Sequence, residues 1–299
     1  MKQKAQIIEV GPRDGLQNEK KIIKTEHKVE YIKRLAAAGL NQIETTSFVR
    51  PSAIAQMSDS KELFTSLPPL PDTRKICLVP NLKGLETAIE AGAKDLALFT
   101  ATSDLFTQKN INCTVEESFV RMEAVAQVAK EKGLNTRLYI STAFGCPYGG
   151  ASSVKDLVSV TQRALRLDPY EISIGDTIGV GVPSMVRERI KALAEELDLS
   201  KVAMHFHDTY SVGLANVSAA LDMGVTKFDS SSAGLGGCPY AKGASGNLAT
   251  EDLVYLLEKE GLETGVDIDK LLDASSFILG VLEKESLSKT YRAFMKAKS

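Results

Sequence analysis

Two of the chain's three histidines stand two residues apart, in His205-Phe206-His207-Asp208. Side chains of a strand alternate, so within a strand His205 and His207 share one face and Phe206 takes the other, toward a helix layer. Paired imidazoles at a strand end suit a metal ion; the plainer alternative is a buried, hydrogen-bonded pair. His27 sits in a charged helix start and is expected in solvent. Oxygen donors stand in comparable places: Asp14 in Arg13-Asp14, Glu44, Asp176 in Gly175-Asp176-Thr177, and Asn247 in Gly246-Asn247-Leu248. Imidazole, carboxylate and amide oxygen with no thiolate cage favour Mg²⁺ or Mn²⁺ over zinc. Taken singly, Asp176 also reads as a helix N-cap or loop turn, and Asn247 as an N-cap.

Two further segments carry chemistry. Residues 234–247, GLGGCPYAKGASGN, hold five glycines around Cys238, which implies backbone turns and close approach to a ligand. The order of a Walker loop is absent. A flexible surface loop is the simple reading, yet an exposed thiol there would invite oxidation, so Cys238 is read as reactive or proton-transferring. In Val10-Gly11-Pro12-Arg13-Asp14 an ordinary salt bridge is one reading. At an active-site mouth, Arg13 would instead neutralise a developing oxyanion and Asp14 would reach the metal.

Positioning such residues takes a scaffold, and the chain repeats strand then helix. Short apolar runs lie at Gln6–Val10, Gln42–Phe48, Lys75–Val79, Asp95–Thr100, Thr136–Thr142, Glu171–Asp176, Val202–His207 and Lys227–Ser231. Amphipathic helical spacing fills the gaps. Val29, Ile32, Leu35 and Ala36 share a face that ends near Gly39. Thr114 and Glu117 give a capping box to a helix striped by Val115, Phe119, Met122, Ala126 and Ala129 and stopped by Gly133. Pro183 opens another over 184–197. Eight such units predict an α/β fold, a (β/α)₈ barrel in one domain spanning residues 1–299. Helices after about residue 265 exceed the eight units and are expected to close the barrel's bottom or side, or to mediate assembly. An open doubly wound sheet is the competing topology, but the first turn lacks its glycine fingerprint.

Composition narrows the class. The 299 residues carry 36 Lys+Arg against 38 Asp+Glu, a net charge of -2, so no field favours nucleic acid or an anionic membrane. No apolar stretch approaches the ~20 residues of a membrane span. The ends show no secretory core, Arg-rich presequence, retention signal or lipidation tail, so a cytoplasmic location is expected. Cys77, Cys113, Cys146 and Cys238 are far apart, which argues against disulfides and structural zinc, and Cys77 reads as core.

The chain resembles the 3-hydroxy-3-methylglutaryl-CoA lyases, within a larger group of metal-dependent barrel lyases and acyl-CoA condensing enzymes. The motifs are VGPRDGLQNE at 10–19, ETTSFV at 44–49, GDTIGVG at 175–181, HFHDT at 205–209 and GLGGCPYAKGASGN at 234–247. The Arg-Asp and His-x-His elements are common to the larger group; the Cys238 loop points to the lyases. The resemblance implies that Asp14, His205, His207 and Asn247 hold a divalent cation, Mg²⁺ or Mn²⁺. It implies that Arg13 stabilises a thioester enolate and Cys238 protonates it, with Glu44 and Asp176 supporting the site, one of them in proton transfer. Arg13, Asp14, Glu44, Asp176, His205 and Cys238 thus form the expected catalytic set.

The reaction implied is cleavage of (S)-3-hydroxy-3-methylglutaryl-CoA to acetyl-CoA and acetoacetate, by a homo-oligomer, a dimer before other states. Alternatives are a lyase for a related 3-hydroxyacyl-CoA, a synthase of the same group joining acetyl-CoA to a 2-oxo acid, and a barrel that binds CoA esters without turnover. Some relatives carry a regulatory cysteine near the C-terminus, and none follows Cys238 here. Lys20, Lys21 and Lys109 are candidates for the CoA phosphates, with solvated surface the preferred reading.

Overall fold

The computed structural model describes residues 3–237 and 246–298. Eight parallel strands close into a barrel: β1 (Gln6–Glu9), β2 (Gln42–Ser47), β3 (Arg74–Leu78), β4 (Asp95–Ala101), β5 (Asn135–Ser141), β6 (Glu171–Asp176), β7 (Val202–Phe206) and β8 (Lys227–Ser230), with β8 pairing back onto β1. Each coincides with one of the eight apolar runs to within one or two residues, as hydrogen-bond criteria at strand ends allow. The helices are α1 (Thr25–Ala37), α2 (Ser60–Ser66), α3 (Leu82–Glu90), α4 (Asp104–Ile111), α5 (Val115–Glu131), α6 (Val154–Leu165), α7 (Pro183–Ala194), α8 (Gly213–Asp222) and α9 (Thr250–Lys259).

The expected local signals hold. Thr114 and Glu117 form the capping box of α5, Pro183 opens α7, and Gly39 follows α1 with φ of +94°. A Cβ on Gly39 would stand 2.2 Å from the Gly265 carbonyl oxygen, so the crossing there admits no side chain. One crossover holds more than its pattern showed. α4 precedes α5 between β4 and β5, ended by Asn112 in the left-handed region. His27 is not free in solvent: it is part-buried, its ring edge-on to Phe277 at 6.2 Å.

Strand alternation sorts the core. Ile8, Val10, Ile76, Ala97, Tyr139 and Ala203 pack inside the barrel, while Leu138, Ile140, Met204, Phe206 and Phe228 pack outward under the helices. Phe206 therefore takes the expected helix side, against Phe144. Cys77, Cys113 and Cys146 are buried free thiols. Among the described residues, no helix is long and apolar enough to cross a membrane.

The added C-terminal helices are α10 (Ile268–Leu282) and α11 (Lys289–Lys298). α10 starts where Asp267 N–H donates to the Ala38 carbonyl, runs back along α1, and ends at Glu283 in the left-handed region. The segment after it reaches the opposite rim. Lys284 pairs with Glu19 at 2.6 Å, Lys21 with Glu283 at 2.5 Å, and Leu287 N–H donates to the Ala233 carbonyl. The appended region thus covers one side of the barrel and ends at its mouth.

Two buried carboxylates tie that mouth together. Glu9 Oε1 accepts from Gly11 N–H at 2.8 Å and Ser232 N–H at 2.9 Å, and its Oε2 accepts from the Thr250 hydroxyl at 2.6 Å. Glu251 accepts from Ala233 N–H and from the Ser275 hydroxyl. Burial pushes each up to about 7, against the hydrogen bonds that pull down. The folded protein then holds these protons more tightly than the unfolded chain. The stability they contribute is complete below about pH 4.5 and is lost as pH rises through about 7. Glu9→Gln keeps the three contacts, since its amide can donate to the Thr250 oxygen. Denaturant titrations between pH 5 and 8 should show a flatter loss of stability than the wild type, by on the order of 3 kcal/mol. An unchanged slope would contradict a titrating Glu9.

Candidate active site

The first turn of the barrel is built to expose two charges. After β1 the chain makes a wide π-type turn over Gly11–Gly15, in which the N–H groups of Arg13, Asp14 and Gly15 all converge on the Val10 carbonyl. Single π-type turns are rare and recur at functional sites. Gly11 is required there: a Cβ would meet Glu9 Oε1 and the Tyr31 hydroxyl, each at 2.5 Å.

Arg13 projects from this turn into a cage of acceptors. One guanidinium nitrogen lies 2.6 Å from Asp14 Oδ1, another 2.7 Å from Glu44 Oε2 on β2, and the group stands 5.5 Å from the centre of the Tyr139 ring. The Tyr139 hydroxyl donates to the same Glu44 oxygen at 3.0 Å. Burial alone would weaken the charge on Arg13, but Glu44 and Asp14 raise its affinity for the proton above the ordinary arginine range. Glu44, fully buried, is raised by burial against the pull of Arg13.

The two imidazoles arrive as expected. His205 is the penultimate residue of β7 and His207 lies just past the strand, with ring centres 5.3 Å apart. The chain leaving 246 runs antiparallel to this end. Leu248 N–H donates to the Phe206 carbonyl, and Asn247 is bridged to His207. The Asn247 amide donates to Asp14 Oδ2 at 2.9 Å and to the Leu235 carbonyl at 3.1 Å. Candidate ligand atoms of Asp14, His205 and His207 all lie within 4.8 Å of one another.

The electrostatics suit a cation. Burial would raise the Asp14 carboxyl, yet Arg13, both imidazoles and the Asn247 amide hold it below the carboxylate range. His207 is pushed down to about 4 by burial and by His205, so it is neutral and has a lone pair to give. His207 Nδ1 and Asn247 Oδ1 are both buried without a hydrogen-bond partner. An orphaned buried acceptor costs about 1–3 kcal/mol, which a coordinated ion would relieve. The donors therefore fit a divalent cation of the Mg²⁺ or Mn²⁺ kind.

Asp176 stands apart from this cluster. Its carboxylate is fully buried at the end of β6 and accepts from Val180 N–H at 3.0 Å and Gly181 N–H at 2.8 Å. It closes the 177–181 turn. Burial lifts it to about 6, against those two hydrogen bonds and His205.

Cys238 lies outside the described residues, but its flanks are at the mouth. The Asn18 amide donates to the Gly237 carbonyl at 3.0 Å, and Gly236 and Gly246 press together so closely that a Cβ on Gly246 would stand 2.0 Å from the Gly236 oxygen. Lys21 is taken by Glu283, and Lys109 lies over the Tyr148 ring at 5.7 Å; Lys20 is exposed.

One group of the site lies outside the residues that the sequence reading singled out. Asp229 on β8 pairs in register with His205 on β7, and its Oδ2 lies 3.2 Å from His205 Nδ1. Burial and Asp229 act in opposite senses on His205, and the net effect is a raised imidazole. Burial would raise Asp229, but Arg137, His205 and the Ser173 hydroxyl together bring it down to about 2. Its strand reads Lys-Phe-Asp-Ser, so no apolar alternation set Asp229 apart.

Three comparisons bear on this site. The family model HMGL-like matches residues 4–278. The mitochondrial hydroxymethylglutaryl-CoA lyase of Homo sapiens is 50% identical over 293 residues, 98% of this chain and 90% of that protein. Among solved structures, hydroxymethylglutaryl-CoA lyase from Pseudomonas aeruginosa superposes with a TM-score of 0.96 at 45% identity, covering 100% of this chain and 99% of that one. An HMG-CoA lyase from Acinetobacter baumannii, in complex with coenzyme A and 3-methylmalate, gives 0.93 at 35% identity, covering 97% and 95%.

If the orphaned donors serve a cation, Mn²⁺ should raise the melting temperature of the metal-free protein. Stabilisation reaches about 2.7 kcal/mol at a hundredfold excess over Kd. His207→Ala should abolish the shift. A wild type indifferent to Mn²⁺, or a variant that responds equally, would contradict the site.

Proposed function

The chain belongs to the HMGL-like family and is a carbon–carbon lyase, and we propose that its barrel mouth cleaves 3-hydroxy-3-methylglutaryl-CoA into acetyl-CoA and acetoacetate. The observation that carries this reading is the gathering at one rim of Arg13, Asp14, Glu44, His205, His207 and Asn247, drawn from both ends of the chain. Relatives named as lyases of this substrate span nearly the whole chain, and one of them is seen with coenzyme A.

In this reading Asp14, His205, His207 and Asn247 hold a divalent cation, Mg²⁺ or Mn²⁺. When bound, the ion would act as a Lewis acid toward the substrate's oxygens and would ease transfer of the tertiary hydroxyl proton to a carboxylate of the site, for which Asp176, lifted to about 6, is the candidate. The chain's own groups do the rest. As the C–C bond breaks, its electron pair passes to the thioester and leaves an enolate oxygen. Arg13 is suited to that oxygen because its guanidinium is planar and permanently charged, and because Asp14 and Glu44 already hold it in place. Glu44 works through Arg13, with Tyr139 fixing its carboxylate. Cys238, which follows Gly237 in the chain, then gives a proton to the enolate carbon. Asp176 keeps the 177–181 turn folded against the site.

A product assay tests the function directly. 3-Hydroxy-3-methylglutaryl-CoA should yield acetyl-CoA and acetoacetate, EDTA should stop it, and Mg²⁺ or Mn²⁺ should restore it. Turnover of acetyl-CoA with a 2-oxo acid instead would move the chain to the condensing enzymes.

Two variants test the roles. Arg13→Gln should lower kcat by about 10²–10³ with little change in KM, since one oxyanion donor is typically worth that much. A loss confined to KM would make Arg13 a substrate-binding group. Cys238→Ser should keep the Mn²⁺ response and lose most turnover; full activity would remove Cys238 from proton transfer.

A further inference from the structure

The interior of the barrel is not apolar throughout. A line of charged side chains crosses it from the face opposite the active site. Lys227 Nζ lies 3.0 Å from Glu171 Oε2, and its side chain, 23% exposed, is the end of the line that meets solvent. Glu171 Oε1 accepts from Arg137 Nε at 2.6 Å, and another Arg137 nitrogen donates to Asp229 Oδ1. Asp229 Oδ2 accepts from the Ser173 hydroxyl at 2.6 Å and meets His205 Nδ1 at 3.2 Å. Strand register explains the order, since Arg137 stands opposite Glu171 and Asp229 opposite His205. Apolar residues of the same volume would fill this space at no electrostatic cost, because buried ion pairs commonly do little better than break even on stability.

We propose that Asp229 is a positioning residue for the cation: its carboxylate holds His205 as the Nδ1–H tautomer, so that Nε2 is the nitrogen presented to the ion. The proposal rests on the metal site described above. A carboxylate only accepts, so the nitrogen facing it must carry the proton. Imidazole ligands are commonly oriented in this way by a carboxylate behind them, and losing such a partner typically weakens metal binding about 10–100-fold. Arg137 has only donors, so it orients Asp229 in turn, claiming Oδ1 and leaving Oδ2 to His205 and Ser173.

That arrangement makes the effect of an amide specific. In Asp229→Asn the amide oxygen must face Arg137, which places the NH₂ group on His205 Nδ1. The amide then donates, and the proton moves to Nε2, the nitrogen meant for the ion. Glu171→Gln removes the same unit of negative charge beside Arg137 but leaves the His205–Asp229 contact intact. It therefore separates positioning from the packing of the ion line.

The experiment has two parts. ¹⁵N NMR of the metal-free wild type, above the imidazole titration range, reads the tautomer of each of the three histidines. His205 should be Nδ1–H; an Nε2–H signal overturns the proposal without any mutation. Mn²⁺ affinity is then measured by the free-ion electron paramagnetic resonance signal. Asp229→Asn, folded by circular dichroism, should bind about 10–100-fold more weakly and show His205 as Nε2–H, while Glu171→Gln binds as the wild type does. Wild-type affinity in Asp229→Asn, or an equal loss in Glu171→Gln, overturns it. If Asp229→Asn does not fold, the wild-type tautomer decides. A wild type that binds no Mn²⁺ defeats the metal reading instead, and the tautomer still reports on Asp229 separately.

Discussion

One guanidinium shared between two carboxylates holds the mouth of this barrel. Arg13 reaches Asp14 at 2.6 Å and Glu44 at 2.7 Å; Arg13 and Glu44 are buried and Asp14 is part-buried, so a missing partner is expensive. Breaking a buried ion pair by removing one member typically costs about 3–5 kcal/mol. The turn after β1 and the middle of β2 are therefore locked to each other before any substrate arrives. Preorganised charge of this kind is what stabilises a developing oxyanion, because the site need not reorganise when the bond breaks. The same contact fixes Asp14, whose second oxygen is held by Asn247 from the far end of the chain.

The rim is then closed by backbone. The turn at 231–234, which leads into the glycine-rich segment, is gripped by Glu9 through Ser232, by Glu251 through Ala233, and by Leu287 from the segment after α10. Ala233 takes a φ of +60°, a strained setting for a residue with a side chain, and these three contacts offset that strain. The C-terminal segment thus does more than cover the side of the barrel. It clamps the base of the segment that carries Cys238, and its Lys284 reaches Glu19 beyond the Arg13-Asp14 turn.

Much of this could be read from the chain. Alternation of apolar runs and amphipathic spacing located all eight strands, because each pattern reports a local burial face. The same alternation put His205 and His207 on one side and Phe206 on the other, and the described residues bear that out. What stayed hidden depends on register between strands far apart in sequence. Asp229 and Arg137 stand inside strand runs with no local sign of a partner, and only pairing of β8 with β7 and of β5 with β6 brings them into line with His205. His27 looked solvated because its partner, Phe277, lies on a helix that no repeat of the barrel pattern announced. For Asp176 the sequence left support or proton transfer at the site open beside a helix cap or loop turn, and its carboxylate accepts from two N–H groups of the turn that follows it.

The central claim is that side chains from the turn after β1, the end of β7 and the segment after β8 meet around one ion. The most direct measurement is an anomalous-scattering map from crystals of the wild-type protein grown with Mn²⁺. The account predicts a single strong peak bounded by Asp14, His205 Nε2, His207 and Asn247, with Asp229 behind His205. A peak elsewhere, or one that leaves both imidazoles uncoordinated, would contradict it.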